Sequence, residues 1–99
     1  MQLGPIKPPE EPERRALWDY TFKLNDWMFS EGIIDEEIHD GMIELASYDG
    51  ITEPFSILSG ELEDARIQLS PEQIKEMQTF GVQLDPEGVQ DVLDVQETH

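Results

Sequence analysis

Apolar residues recur at three- and four-residue spacing along most of the chain, which is the pattern of amphipathic helices. The first segment with this pattern spans residues 13–30, and Pro12 suits the first helical position. Gly32 suits a position just beyond the end of this helix. The apolar stripe of the segment is formed by Leu17, Tyr20, Leu24 and Trp27.

A second helix is predicted over residues 36–47. Asp35 precedes it as a plausible N-cap, because a short carboxylate can accept a hydrogen bond from the first free backbone N–H groups. Gly41 weakens the middle of the helix by about 1 kcal/mol relative to Ala. Tyr48, Asp49 and Gly50 follow as a predicted turn.

Residues 53–66 fit a helix better than a strand, although both patterns occur in this region. Phe55, Leu58 and Leu62 follow helical spacing, whereas Gly60 interrupts it and residues 67–69 alternate as a strand would. We therefore predict a helix here and keep a short hairpin near residues 55–69 as the alternative.

The C-terminal third contains a short internal repeat, in which residues 67–77 are echoed by residues 82–92. In each copy a capping residue, Ser70 or Asp85, precedes a proline at the first helical position. Two short helices are predicted near 71–80 and 86–95, with Gly81 ending the first of them.

These elements predict an all-α fold, a compact small domain of four or five helices over residues 13–99. A flexible Pro-rich arm is expected at residues 1–12, and an α+β fold with the hairpin is the alternative. The chain has no cysteine, which removes disulfides and thiolate metal sites. No apolar run approaches the ~20 residues of a membrane span, so we expect a cytoplasmic protein without a membrane partner.

Net charge changes this picture most, because 23 acidic residues stand against six basic ones and give a formal charge of -17. No Lys or Arg lies between Lys23 and Arg66, whereas this stretch holds twelve carboxylates. Such a chain repels phosphate backbones, so direct binding of nucleic acid is not expected. Like charge also raises the free energy of a compact state, which suggests that the field serves a basic partner.

The predicted second helix concentrates this charge. Glu36, Asp40 and Glu44 follow one another at four-residue spacing, about 6 Å apart on one face. Carboxylates at this pitch resemble phosphates along a strand and suit a groove lined with Arg and Lys. A solvated helix face is the plainer interpretation. The predicted partner-binding residues are Asp35, Glu36, Glu37, Asp40, Glu44, Asp49, Glu53, Glu61, Glu63 and Asp64.

The first helix is unusually aromatic, with five of the eight aromatic residues within twelve positions. A central helix packed on both sides explains this composition without a function. Alternatively, Trp18, Phe22 and Phe29, which lie off the main apolar stripe, form a second partner-binding surface. The same surface would also serve a homodimer.

Catalytic and metal-binding chemistry has little support in the sequence. Glu36 and His39 form a Glu-x-x-His motif, but a di-iron bundle needs two such motifs and further carboxylates. No Gly-rich phosphate loop is present. We expect no enzyme activity, no cofactor and no metal site.

In composition, size and lack of cysteine, the chain is similar to phage-encoded DNA mimics, anti-restriction and anti-CRISPR proteins, and to immunity proteins that neutralise nuclease toxins. The similarity covers no specific motif. It implies an inhibitor that binds a basic, nucleic-acid-handling protein and occludes its nucleic-acid site. The alternative function is a small non-catalytic adaptor or assembly factor that binds through the aromatic first helix.

Overall fold

The computed structural model describes residues 9–96, apart from the side chain of Asp49. Every regular element in this range is a helix, so the all-α prediction is confirmed and the hairpin near residues 55–69 is wrong. Five helices lie in the described range. They are α1 (Pro12–Ser30), α2 (Glu36–Asp49), α3 (Thr52–Asp64), α4, in which Pro71–Glu76 and Val82–Leu84 flank a π-helical segment at Met77–Gly81, and α5 (Pro86–Asp94).

Helix α1 begins at Pro12, which stands in the first helical turn as predicted, one residue before the predicted span of residues 13–30. The last residue of the predicted arm therefore belongs to the helix, and residues 1–8 lie outside the described part of the chain. Gly32, at φ 75°, lets the chain turn back at the C-terminal end. Its backbone N–H donates to the Phe29 carbonyl at 3.1 Å, which satisfies one of the last free carbonyls of the helix.

Helix α2 begins as predicted, since the Asp35 carboxylate accepts a hydrogen bond from the Ile38 backbone N–H at 2.9 Å. It ends later than predicted. Tyr48 and Asp49 are helical rather than part of a turn, and Gly50, at φ 85°, terminates the helix. A left-handed conformation is accessible to glycine without strain, which is why the helix can extend up to this residue.

Helix α3 forms because its apolar residues share one face, and Phe55, Leu58 and Leu62 are fully buried there. Residues 67–70 after it have no regular structure, although their sequence alternates like a strand. Two of their backbone groups bond the distant side chain of Gln96, which donates to the Ile67 carbonyl at 2.9 Å and accepts from the Leu69 N–H at 2.8 Å.

Helix α4 begins with the predicted capping box, in which Ser70 and Gln73 each bond the other's backbone N–H. The prediction that Gly81 ends this helix is wrong, because Gly81 has helical φ and ψ and the helix continues beyond it. A Cβ at Gly81 would lie 2.7 Å from Phe55 Cζ and 2.9 Å from Val89 Cγ2. The glycine therefore serves packing between helices rather than termination.

Helices α3 and α5 run parallel, because residues later in α3 contact residues later in α5. The Ser56 hydroxyl donates to Asp85 Oδ2 at 2.9 Å, at the start of α5. One turn later, a Cβ at Gly88 would lie 2.6 Å from Ser59 Oγ. The Asp85 carboxylate also caps α5 as predicted, accepting from the Gly88 N–H at 3.0 Å.

The core lies where the five helices meet. Tyr20 of α1 packs its ring against Phe55 and Phe80, with centroid distances of 5.9 and 5.5 Å. None of the helices in residues 9–96 is long and apolar enough to cross a membrane. The buried apolar cluster comprises Tyr20, Leu24, Met28, Ile34, Met42, Phe55, Leu58, Leu62, Met77, Val89 and Val92.

Candidate protein-binding surface

Five of the predicted partner-binding carboxylates lie together at the start and along the exposed side of α2. We call this set the α2 acidic face, and all five residues are exposed. The positive end of the helix dipole stabilises the carboxylates at the start of α2, whereas Asp40 and Glu44 lie too far along the helix to gain from it. The α2 acidic face consists of Asp35, Glu36, Glu37, Asp40 and Glu44.

Lys and Arg do not neutralise this face within residues 9–96. The ion pairs that Lys and Arg form in this range join Arg15 to Asp19 at 3.7 Å and Lys23 to Glu76 at 2.9 Å. Both pairs involve α1 and leave the α2 acidic face without a lysine or arginine partner. The shortage of Lys and Arg in the sequence is therefore also a shortage of positive charge beside the α2 acidic face.

His39 is the one basic side chain among the described residues that contacts this face, and it connects α2 to α1. Its Nε2 lies 2.8 Å from Asp26 Oδ1 of α1, and its Nδ1 lies 3.2 Å from Asp40 Oδ1. The ring also stacks on Phe29, with centroids 4.7 Å apart. The hydrogen bond to Asp26, with a smaller contribution from Asp40, raises the pKa of His39 above its usual value, and partial desolvation opposes this rise.

The predicted carboxylates of α3 are placed differently from those of α2. Glu53 and Asp64 are exposed, whereas Glu61 and Glu63 are half-buried, and the side chain of Asp49 lies outside the described part. Glu63 lines a groove of about 210 Å³ between α3 and α5, which we call the acidic groove. Its lining comprises Ser56, Ser59, Gly60, Glu63, Asp85, Glu87, Gly88 and Asp91.

Three carboxylates of the acidic groove were absent from the predicted set. Asp85 was recognised as a helix cap, and Glu87 and Asp91 lie beyond the base-free stretch that guided the prediction. The four-residue spacing of Glu87 and Asp91 places these two carboxylates near one another on α5. Their proximity to Glu63 depends on the parallel pairing of α3 with α5, which the sequence pattern does not encode.

The aromatic residues of α1 divide between the core and a second surface. Tyr20 is buried, and Trp27 packs against the core. Trp18 and Phe22 are half-buried and contact each other, with ring centroids 4.8 Å apart. Phe29 is 42% exposed despite its stack on His39. Tyr20 and Trp27 therefore belong to the core or pack against it, whereas Trp18, Phe22 and Phe29 stay predicted residues of a second partner-binding surface.

Trp18 also lines an open groove of about 460 Å³ between α1 and the connection from α2 to α3. Leu17, Ile51 and Leu84 supply apolar walls, and Arg14 lies at the same groove. Of the three residues predicted for the second partner-binding surface, this groove contains Trp18.

No group of three or more His, Asp or Glu side chains among the described residues is arranged to hold a metal ion. A small apolar pocket of about 80 Å³ between α1 and α4 is lined in part by Tyr20, Leu24 and Trp27. Burial, with a smaller contribution from the charge of Glu76, raises the pKa of the Tyr20 phenol.

Comparison with known proteins identifies no relative. No protein family, curated protein or solved structure matches the chain. Any functional conclusion therefore depends on the geometry and charge described above.

Proposed function

We propose that this protein is a stoichiometric inhibitor that binds a basic, nucleic-acid-handling protein in the cytoplasm. It would occlude the nucleic-acid site of its partner, as DNA mimics, anti-restriction proteins, anti-CRISPR proteins and nuclease immunity proteins do. No catalysis and no cofactor are part of this proposal.

The observation that carries the proposal is the α2 acidic face, which is exposed and has no Lys or Arg partner in the described range. Glu36, Asp40 and Glu44 repel one another by a few tenths of a kcal/mol per pair in the free protein. A cationic site that docks on this face would replace repulsion by attraction. The same field would accelerate encounter with a basic partner.

The spacing on α2 favours a partner that normally holds phosphates. Carboxylates one helical turn apart follow each other at roughly 5–6 Å. Arginine forms bidentate, charge-assisted hydrogen bonds with both carboxylates and phosphates. A groove built to grip a nucleic-acid backbone therefore has the donors needed to bind this face.

A direct test is to capture the binding partner from the producing or infected cell and to measure its affinity across a salt series. The proposal requires affinity to fall steeply with salt, because exposed charges are screened. It also requires DNA or RNA to compete for the partner. A complex that is insensitive to salt and ignores competing nucleic acid would contradict it.

Charge reversal locates the contact. The triple variant Glu36→Lys, Glu37→Lys and Glu44→Lys leaves Asp40 and its contact with His39 intact, and we expect it to abolish inhibition. The matched control is the triple variant Glu10→Lys, Glu72→Lys and Asp94→Lys, which changes net charge equally at exposed positions outside α2. Equal loss of binding in both variants would mean that total charge, and not the α2 acidic face, drives recognition.

The second candidate function is an adaptor that binds through α1. The contact between Trp18 and Phe22, both only half-buried, supports this candidate, because aromatic pairs at a surface are common binding hot spots. Trp18→Ala discriminates between the candidates, since it leaves the α2 acidic face unchanged. Loss of binding in Trp18→Ala, with binding retained in the α2 triple variant, would favour the adaptor.

A further inference from the structure

Asp40 of the α2 acidic face differs from its neighbours because His39 contacts it. The same imidazole contacts Asp26, which lies on α1 and completes a three-residue cluster across the two helices. The His39 side chain is 15% exposed, whereas those of Asp26 and Asp40 are 72% and 65% exposed. The cluster is thus a half-buried base between two carboxylates at the surface.

Both ring nitrogens of His39 face carboxylate oxygens, and this arrangement has a chemical requirement. A neutral imidazole has one N–H donor and one lone pair, whereas the imidazolium has two donors. An ionised carboxylate only accepts hydrogen bonds. Both contacts are therefore hydrogen bonds only when His39 is protonated, and loss of the proton leaves a lone pair facing a carboxylate.

We propose that His39 is a pH-dependent clamp that joins α1 to α2. While it is protonated, its imidazolium pairs with the carboxylates of Asp26 and Asp40 and so competes with a cationic partner for them. The proposal deepens the proposed function, on which its binding half rests. Its structural half, the clamp between two helices, stands on the contacts of His39 alone.

The charges around His39 favour the protonated form of its ring. Asp26 faces it from α1, and Asp40 faces it from α2 itself. Asp35 and Glu36 precede His39 by about one helical turn, and their negative charge also favours the imidazolium. The positive end of the α2 dipole disfavours the imidazolium. Consistent with this, the two hydrogen-bonded carboxylates raise the pKa of His39 above its usual 6.5.

The sign of the effect follows from this direction. A histidine whose pKa is higher in the folded state contributes stability fully below its unfolded pKa and loses it as pH rises through the folded value. Deprotonation also changes the charge of the cluster from one negative unit to two. Rising pH is therefore expected to lower stability and to strengthen binding of a cation at the same time.

The test measures both responses on the full chain. NMR titration of the imidazole gives the pKa of His39, and thermal unfolding between about pH 6 and about pH 9 gives its effect on stability. Binding is measured at low salt with an acetylated nona-arginine peptide, because the charge of arginine is constant in this range. We expect binding to tighten by about fivefold, the size of one ion pair in water.

His39→Gln is the matched control, since the amide has no charge to lose. The amino terminus and His99 titrate in both proteins, so the difference between them isolates His39. A pKa of His39 at or below 6.5 in the NMR titration, which needs no variant, would overturn the clamp. Equal pH dependence of stability in the two proteins would also overturn it.

The two proposals can fail separately. A stability that falls with pH only in the wild type, together with nona-arginine binding that does not change with pH, overturns the competition for the carboxylates and leaves the proposed function intact. A native partner that binds with no dependence on salt or nucleic acid overturns the proposed function instead. In that case a raised pKa of His39 still supports the clamp.

Discussion

The interface of α3 with α4 and α5 and the interface of α1 with α2 are stabilised by different means. In the first, Phe55, Leu58 and Leu62 are fully buried, and Gly81 brings α4 against Phe55 and Val89. In the second, polar groups are prominent, because Asn25 donates to the His39 carbonyl at 3.1 Å and His39 itself joins two carboxylates.

The comparison indicates that stability and exposed charge are concentrated in different regions of the molecule. Close apolar packing is worth most where backbones approach and water is excluded. Exposed ion pairs contribute little, about 0–1 kcal/mol each. The half of the molecule around α3 is therefore expected to supply most of the folding free energy, while α2 carries exposed like charge that costs some of it.

The largest expected effect is on the apolar interface. Phe55→Ala should lower the free energy of unfolding by about 3–5 kcal/mol, because it empties a fully buried site. Met42→Ala, at a 7% exposed position on α2, should cost less, about 2 kcal/mol. Urea unfolding of both variants measures the two values, and a larger loss for Met42→Ala would reverse the comparison.

Replacing glycine by alanine should lower the free energy of unfolding in one region and raise it in the other. Gly81→Ala places a methyl group against Phe55 and Val89, and overpacking of this kind costs about 1–3 kcal/mol. Gly41→Ala in α2 meets no atom within 4 Å and should gain up to about 1 kcal/mol of helix propensity. Thermal melts of the pair check this, and stabilisation by both substitutions would contradict the close packing at Gly81.

Asp26→Asn should lower the pKa of His39 towards its ordinary value, because the bond to Asp26 is the largest cause of the rise. Stability should fall by about 0.5–1 kcal/mol below the folded pKa, and the loss should shrink as pH rises above it. NMR titration and unfolding near pH 6 and pH 9 measure both. Glu31→Gln, an exposed position at the end of α1, is the control and should leave the pKa of His39 unchanged.

The smallest expected effect is that of salt on the free protein. Screening of the α2 acidic face should stabilise the fold by a few tenths of a kcal/mol per like-charged pair. Thermal melts at about 20 mM and about 200 mM NaCl measure it. The α2 triple Lys variant should respond less than the wild type, and a melting temperature that is flat or falls with salt in the wild type would show that the carboxylates are not crowded.

Much of the local structure could be predicted because its causes lie within four residues in the chain. Asp35, Ser70 and Asp85 each accept a hydrogen bond from a backbone N–H three residues later, as their sequence positions indicated. The exposed position of the α2 acidic face followed from helical periodicity in the same way. Errors arose at α2 and α4, where the helices extend past the predicted turn and past Gly81.

The sequence by itself determined the helical class, the positions of three caps and the concentration of negative charge on α2, since each follows from neighbours along the chain. Tertiary structure decided the rest. Only packing shows that Gly81 serves close contact, that Glu63 and Asp91 line the same groove, and that His39 lies between Asp26 and Asp40. These relations join distant segments, and local propensities carry no information about which helix faces lie against each other.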